Sequence, residues 1–321
     1  MSTINISSQK LSSGGSGSQT THTILMIEPV AFGYNNQTAV NNYFQQKDIV
    51  VGDIQQLALD EFNTMVNQLR AKGIQVLVVK DTPEPHKPDS VFPNNWISFH
   101  EGGQVVLYPM FAENRRNERR SDILQMLEDK GSVINNVVDF TFWEKQNLFL
   151  EGTGSMIFDR VHSIAYAAFS ERTDKSVFLQ FCKVFGFKPI FFSAFQTVDR
   201  KRLPIYHTNV MMSVGDNYAV VCTDCIDDID ERRALVNVLE NSGKEIISIT
   251  EQQMHCFAGN MLQIENTEEK RFLVMSKSAY DSLTKHQIEQ LTAYNELIVI
   301  PIPTIEKVGG GSVRCMMAEI F

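Results

Sequence analysis

The chain carries a cysteine at the end of a glycine-rich run, Gly309-Gly310-Gly311-Ser312-Val313-Arg314-Cys315, just ahead of the apolar Met316-Met317-Ala318. Consecutive glycines let the backbone turn tightly or approach a ligand closely. A thiol held on such a loop can act as a nucleophile once it is ionised. Taken alone, Cys315 reads first as a small buried hydrophobe. Three further groups change that reading. His207, in Tyr206-His207-Thr208-Asn209, can pass protons near neutral pH, and an imidazolium beside a thiol would favour the thiolate. Glu151, in Leu150-Glu151-Gly152-Thr153-Gly154, can orient that imidazole or bind a substrate nitrogen. Asp89, in Pro88-Asp89-Ser90-Val91, can accept hydrogen bonds from a planar, nitrogen-rich group. Each has a plain structural explanation by itself: a satisfied core histidine, a turn-tip carboxylate, an Asx-turn. Their recurrence at one place in successive repeats points to catalysis.

The repeats follow from the patterning. Ile24 to Ile27 reads as a buried strand. The polar stretch from Asn35 to Val51 reads as a loop. A helix follows, capped by Asp53, with Ile54, Leu57, Ala58, Phe62, Met65, Val66 and Leu69 on one face and Gly73 at its end, and then a strand at Ile74 to Val79. Hairpins are predicted at Trp96 to Tyr108, Ser155 to Ala167, Val210 to Cys222 and Asn260 to Ser276. Each is followed by a helix (about Glu118 to Lys130, Asp174 to Phe185, Asp230 to Asn241 and Lys285 to Tyr294). Each helix leads to a strand (Ser132 to Asn135, Lys188 to Phe192, Glu245 to Ile249 and Glu296 to Pro301). The order is β-β-α-β with a period of roughly 50 to 60 residues. A terminal strand near Cys315 would complete the first unit, giving about five modules in a closed array. The expected organisation is a tail over residues 1–21, rich in Ser and Gly and read as flexible, and a single α/β domain over residues 22–321.

Composition bounds the partners. The chain has 321 residues, 43% of them hydrophobic, and a formal net charge of −9, which disfavours nucleic acid. No apolar run reaches the roughly 18 residues a membrane span needs, and no signal-peptide pattern opens the chain. Five cysteines, an odd number, argue for a reduced, cytoplasmic protein rather than a disulfide framework. Cys222-Thr223-Asp224-Cys225 has CxxC spacing without a second pair, His255-Cys256 lacks ligand spacing, and the glycine clusters match no nucleotide fingerprint, so neither metal nor cofactor is expected.

The segment Leu150 to Gly154, continuing through Phe158-Asp159-Arg160 to Ser170-Glu171-Arg172-Thr173, resembles the guanidine-modifying (pentein) superfamily. So do Pro88 to Phe92, Tyr206 to Asn209 and the Cys315 loop. That superfamily includes dimethylarginine dimethylaminohydrolase, arginine deiminase and the amidinotransferases. Phe92-Pro93-Asn94-Asn95-Trp96 and Gly309 to Cys315 look most like the citrulline utilization hydrolases. The resemblance implies an α/β-propeller of about five ββαβ modules around a pseudo-fivefold axis. It implies Cys315 as nucleophile, His207 as acid/base, and Glu151 and Asp89 as ligands of substrate nitrogens. Arg172 and Arg116 would hold the substrate carboxylate, which suits a planar guanidinium fork.

Two departures from the relatives bear on the substrate. Asn209 stands where arginine deiminases carry an aspartate, and Asn94 and Asn95 stand where the dimethylarginine hydrolases are acidic. A guanidinium only donates hydrogen bonds, whereas a ureido group offers both a carbonyl acceptor and donors, which asparagine matches. The expectation is a hydrolase of the ureido or guanidino carbon of a small amino acid, with citrulline preferred. An amidinotransferase, an arginine or methylarginine hydrolase, and a non-catalytic binding protein of the same fold are the alternatives; a homodimer is left open.

Overall fold

Four hairpins in the chain are each followed by a helix and a third strand lying parallel to the second, because parallel neighbours need a crossover connection. The computed structural model describes residues 3–4, 17–47 and 52–321. Its second module pairs Ile97–His100 antiparallel with Gln104–Leu107, which pairs parallel with Asn136–Asp139. The third uses Ile157–Asp159, Ile164–Ala168 and Lys188–Phe192. The fourth uses Met212–Val214, Tyr218–Val221 and Glu245–Ser248. The fifth uses Leu262–Glu265, Arg271–Ser276 and Glu296–Ile300. The first is assembled from both ends of the sequence: Ala318–Ile320 lies antiparallel to Thr23–Glu28, which runs parallel to Gln75–Lys80. The architecture is mixed α/β.

The helices begin where local chemistry allows. Asp53, Asp174 and Asp228 each accept a backbone N–H of the first turn, and Thr284 forms a reciprocal capping box with Gln287. The helix Ile54–Ala71 turns Ala58, Phe62, Met65, Val66 and Leu69 inward. These pack with Ile24, Met26, Ile264, Phe272 and Ile298, so the first and fifth modules share one core. A second core joins residues of the third, fourth and fifth modules, including Tyr166, Met212, Val220 and Met275. The first and second modules share a third, built on Leu25, Trp96, Ile97, Val105 and Ala318.

Just before the outer, antiparallel strand of each module the chain makes one short turn, at Pro93–Asn95, Gly152–Ser155, Thr208–Val210, 256–259 and 313–316. Neighbouring turns bond to one another. Thr153 Oγ1 donates to Asn94 O (3.4 Å) and Thr208 Oγ1 to Ser155 O (2.6 Å). Asn260 Nδ2 donates to Asn209 O (3.0 Å), and Arg314 N donates to Asn260 Oδ1 (3.1 Å). The residues predicted to do chemistry sit in or beside these turns.

Several expectations are corrected. The third strand of the second module is Asn136–Asp139, not Ser132 to Asn135, because Asn135 N is spent on Gly103 O at the hairpin turn, while Val137 and Val138 point into cores. The preceding helix starts at Ser121, since Glu113–Glu118 winds as a separate 3-10 helix. An extra hairpin, Phe195–Val198 with Lys201–Pro204, was not anticipated, nor were the short helices Glu251–His255 and Lys277–Ser282. Part of the segment 1–21, expected from composition to be flexible, is packed. Thr3–Ile4 pairs with Val137 and Val138, and Gln19, Thr20 and Thr21 are buried. Gln19 Nε2 donates to Phe158 O and Val214 O, and its Oε1 accepts from Arg160 N. Residues 1–2, 5–16 and 48–51 lie outside the described part.

Candidate active site

Cys315 is 3% exposed and reaches a central cavity also lined by Asp89, Asn95, Arg115, Arg172, Tyr206, His207 and Gly309–Gly311. The cavity holds about 10 Å³, room for roughly one water. Two amides point at the sulfur: Asn209 Nδ2 and Asn260 Nδ2 each donate to Cys315 Sγ at 3.3 Å. Asn260 also accepts from Arg314 N, so it fixes the backbone beside the thiol as well as the sulfur itself.

His207 Nε2 lies 2.8 Å from Glu151 Oε2. Glu151 is fully buried behind the imidazole, and its other oxygen accepts Phe111 N at 2.9 Å. Burial alone would raise the Glu151 carboxyl, but the Arg172 charge and the bond from His207 hold it down to about 2. It is therefore an ionised acceptor, which places the imidazole proton on Nε2 and leaves Nδ1 free to take a proton. Burial pushes His207 down to about 4, against the pull of Glu151, so the resting ring is neutral rather than the imidazolium anticipated from sequence. Gly154 makes this geometry feasible: a Cβ there would lie 2.8 Å from His207 Cε1 and Nδ1 and collide with Asn95 Nδ2.

Asp89 Oδ2 accepts from Asn35 Nδ2 (2.7 Å) and Thr38 Oγ1 (3.1 Å), while Oδ1 has no partner among the described residues. Burial raises its pKa, opposed by Arg115. Arg115 grips Glu118 with two parallel bonds (2.8 and 2.9 Å) and donates to Asn95 Oδ1 (2.7 Å). Arg172 stands 3.6 Å from Glu151 and spends its other edge on Asn41 Oδ1 and Thr38 O.

Eight of the nine sequence-predicted residues come into or beside this centre, with differences of role. Glu151 backs His207 rather than lining the cavity. Asn94 is buried with neither amide atom partnered among the described residues. Arg116 is the exception: it turns to Met110 O and Glu144, away from the cavity. Its neighbour Arg115 faces inward instead, because the 3-10 turn of Glu113–Glu118 sends adjacent side chains in different directions. Sequence reasoning missed Asn260 and Arg115. The signal for Asn260 was its place just before the fifth hairpin, where the other modules carry their polar groups.

The segment 35–47, anticipated only as a loop, closes the mouth. Asn42 Nδ2 donates to Gly310 O, Gln45 Nε2 to Val308 O, and Gln46 N to Lys307 O. Phe44 packs on Tyr206, whose hydroxyl donates to Gly310 O at 2.6 Å. With these contacts in place the cavity is too small for an amino acid. Elsewhere, Cys222 and Cys225 are buried with sulfurs 3.1 Å apart, and no group of metal-ligating side chains occurs among the described residues. No described helix is long and apolar enough to cross a membrane.

Comparison with solved structures supports the fold. ArgZ, an arginine dihydrolase from the ornithine-ammonia cycle in cyanobacteria, superposes with a TM-score of 0.72 at 19% identity, over 93% of this chain and 40% of that one. The chain thus spans less than half of that ArgZ chain, but 97% of a structure of the ArgZ N-terminal domain (TM-score 0.71, 18% identity, 93% of this chain). A dimethylarginine dimethylaminohydrolase variant, solved as an adduct with S-methyl-L-thiocitrulline, matches with a TM-score of 0.61 at 15% identity, over 94% of this chain and all of that one. No curated protein sequence matches the chain. The family described as N,N dimethylarginine dimethylhydrolase, eukaryotic, matches residues 28–321, nearly the whole sequence. The chain belongs to that family, within the pentein superfamily of guanidino-modifying proteins.

Proposed function

We propose that this chain is a cofactor-free cysteine hydrolase acting on the ureido or guanidino carbon of a small amino acid, with citrulline as the preferred substrate. The observation that carries the reading is the Cys315 thiol sharing one buried cavity with His207, whose free Nδ1 is set by the ionised Glu151 behind it. The modules would close into a pseudo-fivefold propeller with the five short turns at its centre.

The chemistry follows from those positions. The thiol proton passes to His207 Nδ1 as Cys315 Sγ bonds to the ureido carbon. Glu151 stabilises the imidazolium that forms. The tetrahedral adduct collapses with cleavage of the bond to the side-chain nitrogen, which takes the proton from Nδ1 and leaves as ornithine. The remaining S-carbamoyl group is attacked by water, whose proton returns to His207. Carbamate departs and breaks down to ammonia and carbon dioxide, and the thiol is restored. Asp89 Oδ1, without a partner among the described residues, is available to a terminal nitrogen donor of the substrate.

The preference for citrulline rests on charge. Arg115 and Arg172 already line the cavity, and the groups nearest the sulfur are the neutral amides of Asn209 and Asn260. A neutral ureido group avoids adding a third buried cation, whose desolvation would cost several kcal/mol. Arginine is the alternative, favoured by the Asp89 and Glu151 carboxylates and in keeping with the activity named for ArgZ. The test is ammonia and ornithine release assayed across citrulline, arginine, methylarginines and agmatine. A higher kcat/KM for citrulline, lost in Cys315→Ser without loss of fold, is expected. A preference for arginine or a methylarginine overturns the substrate assignment, and near-normal turnover by Cys315→Ser overturns the mechanism.

A further inference from the structure

The first strands of the hairpins start at the central turns and run away from Cys315. Their far ends gather His100, Arg160, Val214 and Ile320 on the opposite side of the molecule. Between the second and third modules this side opens into a cavity of about 430 Å³, bordered by His100, Glu101, Gln104, Arg160, Phe185 and Phe187. That volume lies within the range of small-molecule sites, and far exceeds the space beside Cys315.

Arg160 is the unusual group. It is 8% exposed, yet it forms no ion pair among the described residues, and the nearby Glu319 is committed to Arg314 at 2.6 Å. Its one side-chain hydrogen bond among the described residues is long, Nη1 to His100 Nδ1 at 3.5 Å. His100 cannot compensate the charge: burial, and then Arg160 itself, hold its pKa well below the ordinary histidine value, and Phe158, Phe181, Phe185 and Phe187 surround its ring. The guanidinium lies over the Phe321 ring at 3.9 Å and near Phe158 at 5.1 Å. Aromatic rings attract the cation but are not counter-ions, so its N–H groups can still take a carboxylate. A buried cation without a counter-ion is costly unless something pairs with it. Glu101, exposed on the same cavity wall, adds a carboxylate at the mouth.

We propose that this cavity binds a small α-amino acid, with its carboxylate on the edge of Arg160, its ammonium toward Glu101 and its side chain against Phe185 and Phe187. A buried cation, an anion at the mouth and an apolar floor match a zwitterion better than a simple anion, which Glu101 would repel. The site is separate from the catalytic centre, and binding here is independent of what Cys315 hydrolyses.

Equilibrium dialysis of labelled L-ornithine against the full chain tests this. Two equivalents should bind, and one should persist in Cys315→Phe, whose ring fills the central cavity. Arg160→Met should weaken the persistent equivalent at least tenfold. Glu101→Gln should weaken ornithine severalfold while strengthening butanoate, which has no ammonium and is no longer repelled, and should leave turnover unchanged. No equivalent in Cys315→Phe beyond the background of an unrelated protein, or full affinity in Arg160→Met, overturns the proposal and leaves Arg160 a structural partner of Phe158 and Phe321. Should either of those variants fail to fold by circular dichroism, Glu101→Gln in the wild-type background decides, and unchanged ornithine binding there refutes the site.

Discussion

Gly154→Ala isolates the catalytic geometry from the rest of the fold. The added methyl would stand 2.8 Å from two atoms of the His207 ring, about 0.6 Å inside the 3.4 Å at which ordinary contact begins, and would also strike Asn95 Nδ2. Neither neighbour retreats freely: His207 is tied to Glu151, and Asn95 to Arg115. Misplacing a catalytic group by about 1 Å can cost on the order of 100-fold in rate. A shift of 0.6 Å or more should therefore lower kcat/KM by roughly 10- to 100-fold, or about 1.4–2.7 kcal/mol of transition-state stabilisation. Stability should fall by about 1–3 kcal/mol, the usual cost of overpacking. Gly33→Ala is the control, since nothing lies within 4 Å of a Cβ there. Both variants are assayed with whichever substrate the wild type turns over best, alongside urea denaturation. A folded Gly154→Ala enzyme with wild-type kcat/KM would refute the claim that His207 must sit where it does.

The acid limb of the kcat/KM profile should fall well below pH 6.5, toward about 4, because burial lowers His207 and its neutral ring is the form that accepts the thiol proton; a limb at or above 6.5 counts against this assignment. Asn209→Asp replaces the amide at the sulfur with an acceptor for cations, so the arginine-to-citrulline ratio of kcat/KM should rise; an unchanged ratio removes Asn209 from specificity. Gln19→Ala strands two carbonyls and one N–H at the back of the molecule and should cost about 1–3 kcal/mol in urea denaturation. Deleting residues 1–19 should likewise lower the melting temperature, contrary to the flexible tail read from composition, and a silent deletion would show that the Gln19 bonds contribute nothing.

The modules were legible because each carries its own punctuation: Gly102-Gly103 at positive φ in a hairpin turn, Asp174 before a helix and Gly186 after it, and apolar spacing that switches between strand and helix periods. The joining of Ala318–Ile320 to Thr23–Glu28 followed from a first unit that lacked a strand. What the sequence hid is mostly orientation. Arg115 and Arg116 are equivalent as text; only the 3-10 backbone decides which one enters the cavity. Asn260 has the same residue type and placement as Asn209, but no neighbouring motif drew attention to it. Ser and Gly around Gln19 suggested disorder, yet that glutamine is held by backbone groups of the third and fourth modules, partners that no local pattern reveals.

The strand that follows Cys315 closes a sheet begun almost a whole chain length earlier, with Ala318 opposite Leu25. Contacts so distant in sequence form late, because the loop entropy must be offset before they contribute. During folding, the second to fifth modules can therefore settle while the thiol is still uncommitted. Asn209, Asn260 and the His207–Glu151 pair would be in place before the nucleophile arrives. A chain stopped a few residues short would keep most of its core and lack only the strand that seats Cys315. Reactivity at sulfur thus reports completion of the fold, and the rate at which a thiol reagent is excluded from Cys315 during refolding would time the final docking step.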